Sequence, residues 1–217
     1  MTTAVIGAGK VGARLARGLA AGGERIVIAT RNEAQGRALA EELGSLASSA
    51  PVADAIAEAD TVIFSVWLDT IQEMVQRYAD LLPGKTVVDA SNPLAPDGEG
   101  GFRRTLPEDE SSGRLVAGLV PRGAYFVKAF GTLGAESLSA DAHREPERAV
   151  LFYATDDAAA EPTIERLITA AGFAPLKAGG VAVAGRIEVG GDLHQFGGLG
   201  GRVVSLGQAK EALAGVS

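Results

Sequence analysis

The sequence predicts an α/β protein: a Rossmann-type, doubly wound and mostly parallel sheet with a small helical segment at the C-terminus. Two observations carry that prediction. Near the N-terminus the apolar run Ala4-Val5-Ile6 breaks into Gly7-Ala8-Gly9-Lys10-Val11-Gly12, and behind it Val11, Leu15 and Leu19 recur at helical spacing. Further along, apolar runs of strand length alternate with segments of helical pattern, as in repeated strand–helix–strand units. The nucleotide-binding domain is placed at residues 1–178 and a glycine-rich C-terminal helical segment at 179–217, as a contact for a second cofactor or a dimer partner.

The first strand, glycine turn and helix form a dinucleotide fingerprint. Gly7 permits the tight turn, Gly9 lets a pyrophosphate approach the backbone, and Gly12 lets the helix lie against the strand. The helix start, with Ala8, Gly9, Lys10 and Val11, then offers unpaired N–H groups and a positive dipole end to the phosphates. The second strand is Arg25–Ala29, and it leaves through Thr30-Arg31-Asn32. An acid at this position would hold the 2′-hydroxyl of NAD and repel a 2′-phosphate. Arg31 instead offers a planar pair of donors and Thr30 a further one, so NADP is the expected nucleotide.

A helix follows over Glu33–Leu43, stopped by Gly44, then a short strand near Leu46 and Ala47 and a helix over Val52–Ala59. The most apolar strand, Thr61–Val66, brings Ser65, Val66 and Trp67 to its carboxyl end, where ligands sit in doubly wound sheets. Trp67 either packs along a cofactor or plugs the gap over the next helix, Leu68–Leu82. Strand Thr86–Ala90 then ends in Ser91-Asn92-Pro93-Leu94.

From Ala95 to Gly113 the composition turns to glycine, proline and charge. A structureless stretch this long reads as a mobile lid, the alternative being a plain solvated loop. Ser111 or Ser112 is positioned to cap a helix through Leu119. Strand Tyr125–Phe130 leads into Gly131-Thr132-Leu133-Gly134-Ala135, again at a carboxyl end. A strand over Ala149–Ala154, a helix over Glu161–Ala171 closed by Gly172, and a strand over Ala174–Lys177 complete the domain. Between Gly179 and Gly201 glycine becomes so frequent that a free-standing helix is disfavoured. Close packing against another helix, a partner subunit or a flat ligand would explain the missing side chains; a flexible tail is the alternative.

Composition narrows the function classes. The chain has 217 residues, no cysteine and a formal charge of -7, which exclude thiolate chemistry and argue against nonspecific nucleic-acid binding. No apolar run reaches the roughly 18 residues of a membrane span, and no signal peptide is apparent, so a cytoplasmic protein is expected. His143 and His194 lie far apart and outside any metal spacing, and no metal is expected. Neither a Ser/His/Asp pattern nor a Tyr-x-x-x-Lys pattern is present. No catalytic side chain is therefore named. His194 is open to two readings, a proton donor to a flavin or ketone and a hydrogen-bonding residue. Lys128, inside a strand, is expected to point outward or pair with a carboxylate.

Four separated stretches resemble the NADP oxidoreductases dependent on coenzyme F420. They are Gly7–Gly12, Ala29–Asn32, Val88–Leu94 and Val127–Ala135, and the resemblance covers nearly the whole chain up to about Lys177. It implies one Rossmann domain holding two cofactors face to face. Carried over by position, it sets Thr30 and Arg31 at the 2′-phosphate, Gly9, Lys10 and Val11 at the pyrophosphate, and Ala135 near the nicotinamide amide. Asn92, Pro93 and Leu94, with Gly131 and Thr132, would line the pocket for coenzyme F420 or a flavin. Gly131 stands where these enzymes can carry a histidine. The domain also resembles the reductase portion of metalloreductases that pass electrons from NADPH through flavin to a metal. The expected activity is hydride transfer between NADP(H) and a deazaflavin or flavin. An NADPH-dependent reductase of a small imine or carbonyl, suggested by a resemblance of the N-terminal half to pyrroline-carboxylate reductases, and a non-catalytic NADPH-binding sensor are the alternatives. A homodimer is expected.

Overall fold

The computed structural model describes residues 1–215. The chain begins β1 (Thr2–Ile6), α1 (Lys10–Ala21), β2 (Arg25–Ala29), α2 (Glu33–Leu43), β3 (Ala47–Ser49), α3 (Val52–Glu58), β4 (Thr61–Phe64), α4 (Leu68–Arg77) and β5 (Thr86–Asp89). It continues with a hairpin of β6 (Leu94–Pro96) and β7 (Phe102–Arg104), then α5 (Ser112–Leu119), β8 (Tyr125–Ala129) and α6 (Ser137–Ala140). The last elements are β9 (Val150–Ala154), α7 (Glu161–Ala170), β10 (Ala174–Gly179) and α8 (Leu206–Ala214).

Eight strands form one sheet in the order β10-β9-β8-β5-β4-β1-β2-β3. From β3 to β8 every pair is parallel; β9 alone reverses against β8, and β10 runs parallel to β9. This is the doubly wound arrangement, with its crossover reversal between β1 and β4. Because β1, β2, β4, β5 and β8 share a direction, their carboxyl ends all open on the same edge of the sheet.

Strand periodicity sorts the core. Val5, Ile28, Ile63, Val88 and Val127 meet α1 and α7 on one face, through Leu15, Leu19, Ile164 and Ile168. Ala4, Ile6, Val62, Phe64 and Val87 meet α3, α4 and α5 on the other, through Ile56, Ile71 and Val116. Each of these larger side chains, fully buried, contributes about 1.5–3 kcal/mol.

Two expectations are corrected. The stretch from Ala95 to Gly113 is no structureless lid: Leu94 pairs with Arg104 across the hairpin, and the Asp97 carboxylate accepts from Glu99 N and Gly101 N across its turn. Ser111 then caps α5 by accepting from Arg114 N at 3.3 Å. The glycine-rich segment, too, is neither tail nor continuous helix. After a short 3-10 turn at Val181–Ile187 it coils through turns until α8, while Leu193, Leu199 and Val204 pack under β9. Its glycines are explained by its own backbone. A Cβ on Gly191 would overlap Gly185 O, on Gly197 it would overlap Gly191 O, and on Gly198 it would come within 2.5 Å of Asp192 O.

Candidate functional site

The turn between β1 and α1 has no room for side chains on its protein side. Gly7 has φ +97°, and a Cβ there would stand 2.6 Å from Val66 Cγ1 and 2.7 Å from Ser65 O. On Gly12 it would overlap Gly7 O and Ser65 Oγ. The Ser65 hydroxyl is already engaged with this turn, 2.8 Å from Gly7 O and 3.0 Å from Ile6 O. Gly9 behaves oppositely, since a Cβ there meets no protein atom within 4 Å. The open side of the turn is thus at Gly9, directly before α1, whose first turn has no side-chain cap. Its N–H groups are left for a ligand. The donor set fits a dinucleotide pyrophosphate.

The end of β2 lies beside this turn. Thr30 Oγ1 donates to Asn32 O, Asn32 caps α2 by accepting from Gln35 N, and Gln35 Nε2 donates to Ala8 O at 2.9 Å. Gln35, which the spacing rules do not single out, therefore ties the expected ribose end to the expected phosphate turn. Arg31 is exposed, and it forms no ion pair among the described residues. Its guanidinium is free for a phosphate.

A second set of side-chain contacts lies where β5 and β8 end. Asn92 Nδ2 donates to Gly131 O at 2.9 Å, and Asn92 Oδ1 accepts from Val189 N at 2.7 Å, so this side chain stitches three segments together. Pro93 O accepts from Thr105 N and thereby fixes the base of the hairpin. Phe130, fully buried, sits at φ +66°, a conformation that side chains rarely adopt and that sets the direction of the Gly131–Ala135 loop. Gln195 holds that loop from the C-terminal segment: Gln195 N donates to Thr132 O, and Gln195 Oε1 accepts from Gly134 N. Ser91 Oγ and Thr132 Oγ1 are buried without a hydrogen-bond partner.

Next to these contacts lies a buried ionic cluster. Lys128 Nζ lies 2.7 Å from Asp89 Oδ2, 2.8 Å from Ser91 O and 3.0 Å from Ser112 Oγ. Glu188, from the C-terminal segment, accepts from Ser111 Oγ, Ser112 N and Gly113 N at the start of α5. Asp89, Lys128 and Glu188 are all at most 1% exposed. Burial alone would raise the Glu188 carboxyl, but Lys128 and these hydrogen bonds hold it below its ordinary value. Lys128 thus pairs with a carboxylate and does not point outward.

His194 is 2% exposed; its Nδ1 accepts from Phe196 N at 3.0 Å, which leaves the Nε2 proton to donate to Gly131 O, also at 3.0 Å. Burial pushes its pKa down to about 4. Of the two readings, proton donation to a flavin or ketone is therefore overturned: near neutral pH the imidazole is uncharged and its one proton holds the loop.

A sequence profile described as NADP oxidoreductase, coenzyme F420-dependent, matches residues 2–93. A hypothetical protein of Sinorhizobium meliloti shares 34% identity over 89% of this chain and 93% of its own, with a TM-score of 0.79. The chain belongs to the family of coenzyme F420-dependent NADP oxidoreductases. A protein of Arthrobacter sp. FB24 that carries the name of an F420-dependent NADP-reductase is 25% identical, with a TM-score of 0.72 over 85% of this chain and 87% of its own. Metalloreductase STEAP3 of Rattus norvegicus is 29% identical over 184 residues, 85% of this chain. The chain spans about a third of the length of that relative, 35%. As a member of this family the chain is an NADP-dependent oxidoreductase, and its mostly parallel sheet is the Rossmann sheet of that class. Among the described residues no helix is long and apolar enough to cross a membrane.

Proposed function

We propose that the chain passes a hydride between NADPH, held by Gly7–Val11, Thr30 and Arg31 with Ser65–Trp67 alongside, and a deazaflavin or flavin seated against Asn92–Leu94, Gly131 and Thr132. The observation that carries this reading is the Asn92–Gly131 bridge, which ties the ends of β5 and β8 together on the same sheet edge as the glycine turn. Bound NADPH supplies the hydride at its nicotinamide. The chain's own residues then need only orient and exclude water, because two planar rings held together react without a protein nucleophile. The site is equipped accordingly. Lys128, Asp89 and Glu188 are locked in one another's hydrogen bonds, and His194 is neutral and engaged. Ala135 closes the loop beside the expected nicotinamide amide.

The test is spectrophotometric. Purified protein with NADPH is offered coenzyme F420, FMN, FAD and ferric iron separately, with NADH as control. NADPH-specific reduction of the deazaflavin or a flavin is expected. Turnover of a small imine with none of the planar acceptors would overturn the reading. We further propose a homodimer in solution, to be checked by sedimentation; the exposed Leu115, Phe196 and Leu206 support it.

A further inference from the structure

Large exposed aromatic rings are unevenly distributed in this molecule. Trp67 is 46% exposed, Phe102 59% and Phe196 62%. These three belong to segments at the carboxyl edge of the sheet, whereas Tyr125, 37% exposed, opens β8 at the opposite edge. Trp67 follows Val66, whose Cγ1 seals the back of the Gly7 turn, and occupies the N-cap position of α4 at the carboxyl end of β4. Phe102 begins β7, and the hairpin that carries it is fixed at its base. Pro93 O accepts from Thr105 N at the base, and the Arg104 guanidinium donates to Val189 O and Glu110 O. Phe196 lies against the far loop, its ring edge 2.7 Å from where a Cβ on Gly134 would stand.

Trp67 and Phe102 meet with ring centroids 6.0 Å apart and planes inclined by 45°. That tilt is a wedge and not a stack, and each residue keeps about half of its surface exposed. A pair serving only to hold the hairpin would bury more of that surface, because exposing it forfeits apolar area at roughly 25 cal/mol per Å². Trp67 follows the carboxyl end of β4, and Phe102 pairs with Pro96 in the hairpin strand that begins at Leu94, so the wedge stands on the sheet edge that carries Asn92–Leu94. We infer that Trp67 and Phe102 form an aromatic wall that stacks the planar ring of the hydride acceptor and so selects flat, conjugated acceptors over small carbonyl compounds. This rests on the hydride-transfer reading for its acceptor class. It assigns the selection to residues outside the glycine turn and the Asn92–Gly131 bridge.

Trp67 is the only tryptophan of the chain, so intrinsic fluorescence reports on this wall. Riboflavin, FMN and coenzyme F420 are titrated into NADP⁺-saturated wild type, Phe102→Ala and Phe102→Tyr, with NADPH affinity and Tm measured for each. Saturable quenching is expected in the wild type. Phe102→Ala should weaken it by roughly tenfold, the scale of a lost aromatic stacking contact, while Phe102→Tyr restores it and NADPH affinity stays unchanged. If Phe102→Ala lowers only the Tm and leaves acceptor affinity intact, the pair is a strut and the inference is overturned, whatever the enzyme reduces. Saturable, Phe102-dependent binding without NADPH oxidation upholds the wall and overturns the hydride-transfer reading. Absence of any saturable binding of these rings to the wild type overturns both.

Discussion

Arg31 and Gly9 answer to different parts of a dinucleotide, and substitution separates them. On the proposed reading Arg31 meets only the 2′-phosphate, so Arg31→Ala should weaken NADPH binding by about 1.5 to 3 kcal/mol, the range for a hydrogen bond to a charged group, and barely change NADH. Calorimetric titration with both nucleotides checks this; equal losses would remove Arg31 from the phosphate. Gly9→Val should abolish binding of both nucleotides at unchanged Tm, because the space its side chain enters holds no protein atom. Gly12→Ala should do the reverse first, costing about 3 kcal/mol of stability, because its Cβ overlaps Gly7 O and Ser65 Oγ. If the Gly9 variant melted early and the Gly12 variant did not, the geometry of the turn would be wrong. The glycine spacing made the packing of this turn legible in the sequence. It said nothing of Gln35, whose bond to Ala8 O depends on α2 lying beside the turn.

At the scale of elements, α5 and the C-terminal segment are held by charge. Lys128 neutralises Asp89 and faces Glu188 at 3.9 Å, and Glu188 in turn occupies the N–H groups at the start of α5. Breaking a buried pair costs more than the pair is worth, since it strands a desolvated charge. Lys128→Met should therefore destabilise the fold by about 3–5 kcal/mol in urea titrations; a loss under 1 kcal/mol, a surface pair's worth, would mean that the cluster is hydrated. The sequence offered Lys128 a carboxylate partner without naming it. Asp89 and Glu188 are 99 positions apart by their numbering, and no periodicity joins them. The hairpin is not legible in the sequence for a related reason: its strands are three residues each, too short to show alternation, and Arg104 anchors them to Val189, 85 positions away.

For the whole molecule, the buried His194 couples stability to pH. Its folded pKa is about 4, against 6.5 for the free side chain. Between those values the unfolded chain binds the additional proton, so stability is full above pH 6.5 and falls as the pH drops, by about 3 kcal/mol at pH 4. Glu188, also held below its ordinary value, adds a loss of the same sign further into acid. His194→Gln should flatten the Tm profile between pH 6.5 and 4, and a profile parallel to the wild type would exclude His194 as the source. By itself the sequence determined the Rossmann sheet, the glycine turn, the basic exit of β2 and the family, because each is encoded within a window of contiguous residues by periodicity, turn chemistry or local charge. Only the tertiary structure decided how the glycine-rich segment coils, that His194 is neutral and engaged, that Glu188 closes α5 and that Trp67 meets Phe102. Those are contacts between segments far apart in the chain, and their free energy exists only once the sheet has brought the segments together.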